Sequence, residues 1–206
     1  MHHKPERHDI LPGTEPPKRG LFIDRWGTLL EPPPGDRPRG PEDVRFLAGT
    51  VDALHRAHCA GWNLYLIGNE DAVAFGQLAL RDWQRLESAL IGELEANGVP
   101  IRHNYAAIHH PRGVAGQRGD SVYRLPNTGA FYHAQHHDGV SLRDSWVIGD
   151  STVEHAAAWR AGVRRAAVRS GLGLGDRQFE VDVDLVASDL SDAIGSLLRG
   201  RWQLAA

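Results

Sequence analysis

The amino-acid sequence predicts a three-layer α/β domain built on a Rossmann-like parallel sheet. Three observations carry that expectation. Short apolar runs alternate along the chain with segments of helical periodicity, the pattern of strands joined by crossover helices on both faces of a sheet. The connections between them are short and often marked by glycine. The length, 206 residues with 41% hydrophobic and 24% charged side chains, suits one domain with a substantial core.

Residues 1–19, rich in proline, histidine and charge, read as a flexible tail. The domain spans 20–200, and 201–206 form a C-terminal tail. The first strand, Leu21-Phe22-Ile23, delivers Asp24 to a turn of Arg25, Trp26, Gly27 and Thr28. A proline-rich loop, EPPPGDRPRGPEDV, leads to VDALHRAHCAG, which has helical periodicity and stops at a glycine before the strand NLYLIG. From about 72 to 97, Leu78, Leu86, Leu90 and Leu94 fall at helical spacing. A third strand, YAAI, enters the loop HHPRGVAGQRGDSVYRLPN. There follow a helix over about 128–137, the strand SWVIGD, the helix STVEHAAAWRAG, the strand RRAAVR, a short strand DLVA and a terminal helix from about 190. The sequence shows neither an internal repeat nor a second domain.

Composition narrows the function. A net charge of −3 argues against nucleic acid or an anionic membrane as partner. No apolar run approaches the ~20 residues of a membrane span, and MHHKPERHDI lacks a signal-peptide core, so a cytoplasmic location is expected. The single cysteine, Cys59, excludes an internal disulfide and a cysteine-rich zinc site; its helical setting predicts a buried structural thiol. Trp62, Trp83, Trp146 and Trp159 are expected in or against the core. The only lysines are Lys4 and Lys18, so beyond residue 19 every basic side chain is arginine or histidine.

Two strands end in aspartate: Asp24 after LFI and Asp150 after WVIG. Parallel strands bring their C-terminal ends to one edge, so these distant residues are able to meet. Facing carboxylates repel unless a cation, a proton or a hydrogen-bond network intervenes, and Mg²⁺ suits such oxygen ligands. Either aspartate alone would serve equally well as a cap of its turn or helix.

Several motifs, in order, resemble the haloacid dehalogenase (HAD) superfamily, in the branch that contains heptose-bisphosphate and histidinol phosphatases. FIDRWGTL resembles its DRDGT opening, and LYLIGNEDAVAFG sits where the branch has a strand and TNQSG. YAAIHHPRG resembles CPHHPEG, YRLPNTGAF resembles CRKPKPGM, and WVIGDSTVEHAAAWRAGV resembles GDxxxD with its helix and AG. The likeness runs from about Leu21 to Leu198. It implies the HAD type of sheet without a large cap domain. It also implies an aspartyl-phosphate mechanism with Asp24 as nucleophile, and Mg²⁺ held by Asp24, the Trp26 carbonyl and Asp150, with Glu154 behind them. Asn69 and Arg124 match substrate-binding positions; a solvated loop arginine is the competing reading for Arg124.

The departures from that pattern fall at functional positions. Trp26 stands where the branch has its general acid, and an indole N–H does not ionise at working pH. Gly68 replaces the phosphate-binding Ser or Thr, and Leu125 replaces the lysine. Ala107, Ser121 and Tyr123 replace zinc-loop cysteines, leaving His109 or His110 as the only retained ligand type, so zinc is not expected. DRWGT also resembles the DAYGT of the superfamily's dehalogenases, but those keep a lysine and a hydroxyl that this chain lacks. His133, His136 and His137 are within possible reach of His109 and His110, although solvated positions are the expected reading. Weak Mg²⁺ binding is expected. The leading expectation is a catalytically impaired pseudophosphatase with a binding, regulatory or scaffold role, its partner a phosphorylated small molecule or a protein. The alternative is an active phosphohydrolase on a sugar phosphate or other small phosphomonoester by an altered mechanism.

Overall fold

The structure, a computed structural model, describes residues 17–200; most of the expected N-terminal tail and all of 201–206 lie outside them. Six parallel strands, β1 (Arg19–Ile23), β2 (Trp62–Asn69), β3 (Ile101–Ala107), β4 (Trp146–Gly149), β5 (Arg164–Val168) and β6 (Leu185–Ala187), lie in the order β3-β2-β1-β4-β5-β6. The helices are α1 (Thr50–Cys59), α2 (Asp71–Ala74), α3 (Leu80–Ala96), α4 (Gly129–Asp138), α5 (Thr152–Ala161) and α6 (Leu190–Leu198).

Alternation along each strand divides the core into two layers, because successive side chains point to opposite faces. Leu21, Ile23, Leu64, Leu66, Trp146 and Ile148 face one layer, which α1, α3 and α6 cover. Phe22, Tyr65, Ile67 and Val147 face the other, covered by α4 and α5. Such strands are buried on both faces and therefore read as continuous apolar runs.

The sheet order positions the site. From β1 the chain winds outward through β2 to β3, then crosses back to β4 on the other side of β1 and winds outward again. The β1/β4 boundary is thus a topological switch point, where loops diverge and leave a crevice at the strands' C-terminal ends. Asp24 and Asp150 flank it. No separate cap domain interrupts the described residues.

Several details differ from the sequence expectations. β1 starts at Arg19 and Lys18 bridges to Val140, so the chain is ordered into the sheet before residue 20. The 72–97 segment is not one helix: it breaks between Ala74 and Leu80, where Gly76 takes a positive φ of 69°. β3 begins at Ile101, four residues before YAAI, because edge-strand residues Arg102 and Asn104 hide its apolar pattern. Cys59 is exposed rather than buried, since it closes the last turn of α1 on the solvent side. Trp146 and Trp62 are buried, whereas Trp159 on α5 is 68% exposed.

Candidate active site

Asp24 is fixed by its backbone: its amide donates to the Ile148 carbonyl at 3.0 Å, which sets the end of β1 against the end of β4. The turn after it is tight. The Leu29 and Leu30 amides both donate to the Arg25 carbonyl, and the Gly27 amide donates to the Leu30 carbonyl. Gly27 (φ 82°) and Gly171 (φ 63°) close on Asp150 from two sides, and a Cβ on either would collide with Asp150 Oδ2. That oxygen accepts from the Leu172 amide at 2.6 Å. Only glycine permits this approach.

The Asp24 and Asp150 side chains both line the floor of a cleft of about 380 Å³, with Glu154 at their side. All three are buried. Burial, with the charges of Glu154 and Asp150, holds the Asp24 carboxyl well above the usual carboxylate range, against the opposing Arg25 amide and guanidinium. Burial likewise pushes Asp150 up to about 6, although the Leu172 amide pulls the other way. Glu154 is pushed up to about 8, chiefly by burial and despite a hydrogen bond from the Ser151 hydroxyl.

This donor set fits a hard divalent cation: carboxylates crowd together, and the adjacent arginine is committed elsewhere. Asp24 and Asp150 would hold the ion, with Glu154 behind them. Mg²⁺ keeps several waters and is gripped weakly by two carboxylates. Titration calorimetry is therefore expected to give Mg²⁺ binding in the millimolar range, an order-of-magnitude figure from that coordination argument, and Asp150→Asn should remove it. Equal heats from both proteins would show that the pair forms no metal site.

Trp26 lies at the mouth, packed partly against the core and lining both this cleft and a neighbouring one of about 460 Å³. Its Nε1–H is buried without an acceptor. Such a donor can hydrogen-bond an oxyanion but cannot deliver a proton. Gly68 lies beside the carboxylate of Asp24: a Cβ there would be 3.6 Å from Asp24 Oδ1. Its φ of 155° is one that side-chain-bearing residues rarely adopt. Leu125 is buried within the α4–α5 core layer.

The two predicted substrate-binding residues line the cleft but already have partners. Asn69 exchanges hydrogen bonds with the Leu125 backbone, Nδ2 to O and N to Oδ1, both 2.9 Å. Arg124 pairs with Asp71 at 2.7 Å. It is the cationic side chain that lines this cleft, held at the rim.

Sequence reasoning missed the role of Arg25. Its guanidinium is buried beneath the site, 2.6 Å from Glu70 Oε1 and 3.1 Å from Glu87 Oε2, and it also donates to Asn104. Asp176 was missed as well; it accepts from the Thr152 amide and hydroxyl, at 2.9 and 2.6 Å, and so caps α5 beside Asp150. Neither motif nor spacing signals these partners.

The histidines also assort differently. His109 and His110 do not join those of α4. His110 Nδ1 accepts from the Arg112 amide at 2.9 Å, and backbone bonds to Gln117 and Gly119 hold the loop. Ala107, Ser121 and Tyr123 offer no zinc set there. His133 and His137 instead gather around His103 of β3.

The buried carboxylates also set a pH dependence. Folded Glu154 keeps its proton to about pH 8, whereas the unfolded side chain loses it near 4.5. The folded state then binds more protons, so stability falls as pH rises through that interval. His155 acts oppositely: burial pushes it down to about 4, and its contribution is complete by pH 6.5. Between pH 6.5 and 8.5 the metal-free protein should lose on the order of 1–2 kcal/mol. Chemical denaturation should show this slope, and Glu154→Gln should flatten it; a mutant slope equal to wild type would refute the assignment.

The six-stranded parallel sheet, the crevice and the paired aspartates are those of a HAD-type Rossmann-like α/β fold, and the chain is similar to phosphatases of that type. A HAD-hydrolase-like family model matches residues 122–193. The chain is 27% identical over 183 residues to the D-glycero-beta-D-manno-heptose-1,7-bisphosphate 7-phosphatase of Haemophilus ducreyi, covering 86% of this chain and 97% of that one. The D-glycero-D-manno-heptose-1,7-bisphosphate 7-phosphatase of Thermosynechococcus vestitus is 28% identical, covering 86% and 94%. In fold the chain is similar to the D,D-heptose 1,7-bisphosphate phosphatase of B. bronchiseptica, complexed with magnesium and phosphate, at a TM-score of 0.75 and 22% identity, covering 88% of this chain and 99% of that one. Among the described residues no helix is long and apolar enough to cross a membrane.

Proposed function

We propose that the chain is a phosphohydrolase-type protein that takes a phosphorylated small molecule, with sugar bisphosphates as the leading class, and turns it over slowly. The observation that carries this reading is the buried Asp24/Asp150 pair, which lines one cleft together with Trp26, the residue at the position where the resemblance implies a general acid. The names of the relatives favour retained phosphatase chemistry over a wholly inert scaffold.

In this reading Asp24 attacks phosphorus and the bond to the leaving oxygen breaks. Water then cleaves the aspartyl-phosphate. A bound Mg²⁺ would supply positive charge to the nucleophile and the phosphoryl oxygens. Asp24 must be ionised to attack, which burial first and then its carboxylate neighbours oppose in the metal-free protein. Trp26 gives the leaving oxygen no proton, so that group departs as an anion or takes its proton from water. Loss of a general acid reduces rates by about 10²–10⁴. The penalty is least where the leaving group is already a weak base. Arg124 at the rim is the chain's own candidate for holding a second phosphate.

The test is turnover of heptose 1,7-bisphosphate and p-nitrophenyl phosphate with Mg²⁺, by wild type and Asp24→Asn. Slow hydrolysis favouring the nitrophenyl ester and abolished in Asp24→Asn is expected. Fast hydrolysis of the sugar ester would refute the missing acid, and activity surviving in Asp24→Asn would refute the nucleophile. Saturable binding with no turnover of either ester would leave the purely binding or regulatory role, the reading that Trp26 by itself favours.

A further inference from the structure

A second cluster of polar side chains lies on the edge of the sheet, away from the cleft. His133 and His137, four residues apart on α4, stack their rings 5.3 Å apart. His103 on β3 meets both edge-on, at 5.1 Å. Asp138, the last residue of α4, lies between them. Its Oδ2 is 3.5 Å from His103 Nε2 and its Oδ1 is 3.2 Å from His137 Nδ1. His103 pairs in register with Tyr65, three residues before Gly68 on β2, which puts the cluster about 10 Å from the Gly68 level, toward the opposite edge of the sheet.

We propose that His103, His137 and Asp138 form a site for a divalent transition-metal ion, zinc foremost. Each offers one ligand atom, and these atoms lie within 4.8 Å of one another. Ligands bonded to zinc at about 2.0–2.1 Å sit about 3.3 Å apart on the edges of a tetrahedron, and the Asp138 carboxylate already lies 3.5 Å from the His103 nitrogen through Oδ2 and 3.2 Å from the His137 nitrogen through Oδ1, so a small rotation brings one oxygen into the set. Imidazole nitrogen with one carboxylate suits zinc, nickel or cobalt; Mg²⁺ prefers an all-oxygen set and belongs at Asp24 and Asp150 instead. The carboxylate is held from behind, since the Tyr65 hydroxyl donates to Asp138 Oδ2 at 2.8 Å, the outer-sphere support that orients metal ligands. The His137 side chain is 61% exposed, so an ion and a completing water have access. Bound there, the ion would clamp the end of α4 to the edge strand. The zinc-loop positions of the resembling branch contribute nothing to this set.

The full chain, stripped with EDTA, is titrated with ZnCl₂, CoCl₂ and MgCl₂ by calorimetry and thermal shift. Wild type, His137→Gln, His103→Gln and His55→Gln are compared. The last breaks the exposed His55/Cys59 contact and serves as a control for zinc held outside the cluster. One zinc per chain is expected. The loss of either cluster histidine should weaken it at least tenfold, since disturbing only the outer shell already does so by about 10–100-fold. His55→Gln should change nothing, and Mg²⁺ binding should be the same in wild type and all three variants. Zinc at a hundredfold excess over Kd should raise the wild-type Tm by about 5–10 °C. Equal zinc affinity in wild type and His137→Gln, or a loss only in His55→Gln, would overturn the site. The exposed position of His137 keeps that variant folded, and neither readout depends on phosphatase activity.

Discussion

Replacing Arg25 with methionine should destabilise the domain by about 3–5 kcal/mol, the usual consequence of removing one partner from a buried ion pair. Arg25 is 1% exposed and faces Glu70 and Glu87, which are themselves buried. Methionine fills much of the volume but leaves two carboxylates without a cation. Burial already raises the Glu87 carboxyl against the pull of Arg25, so without the guanidinium Glu87 would be driven to protonate. Against a total stability of about 5–15 kcal/mol for a domain, the loss approaches unfolding. The expected fall in Tm is about 10 °C or more for a chain of this size. Urea denaturation measures it directly. The triple variant Arg25→Met, Glu70→Gln, Glu87→Gln should recover most of the stability, because removing a buried network whole is often nearly neutral. A single mutant within 1 kcal/mol of wild type would mean that water reaches these acids and that the network is not structural.

That network illustrates what the sequence conceals. Asp24 and Asp150 were legible because each ends an apolar strand, and parallel topology sends such ends to one edge. The partners of Arg25 come from the end of β2, the middle of α3 and the edge strand β3, with no periodicity linking them. The same holds for the His103 cluster: the i, i+4 pair on α4 is visible in HAQHH, but its third member sits in a strand whose polar edge residues mask its start. Helical periodicity located α1 and α5 well. It could not say which face of each met solvent, hence the exposed Cys59 and Trp159. The substituted positions Trp26, Gly68 and Leu125 were visible only against the motifs they resemble, and in the structure Trp26 and Leu125 line the cleft while Gly68 lies beside Asp24. What the sequence did not disclose is how firmly the surroundings have adapted to each.

That adaptation governs the last prediction. Trp26→Asp alone should raise phosphatase turnover by less than tenfold, although a competent general acid contributes about 10²–10⁴. A carboxylate at position 26 would add another negative charge to a site whose acids already carry raised affinities for protons. The transferring phosphoryl would still lack its hydroxyl and ammonium contacts, and such electrostatic anchors are worth factors comparable to the acid. Nor are these restored by simple reversal. A threonine at 68 must adopt a φ near 155°, beside Asp24 Oδ1, and a lysine at 125 must leave the apolar layer that now holds the leucine. The three functions act as a unit, so their effects are not additive. Steady-state rates on p-nitrophenyl phosphate and heptose 1,7-bisphosphate should therefore stay low for Trp26→Asp. They should climb only when Gly68→Thr and Leu125→Lys are added, with a lowered Tm from both. A hundredfold gain from Trp26→Asp alone would show that Arg124 and the backbone amides already anchor the phosphate, and that the indole was the sole barrier to efficient hydrolysis.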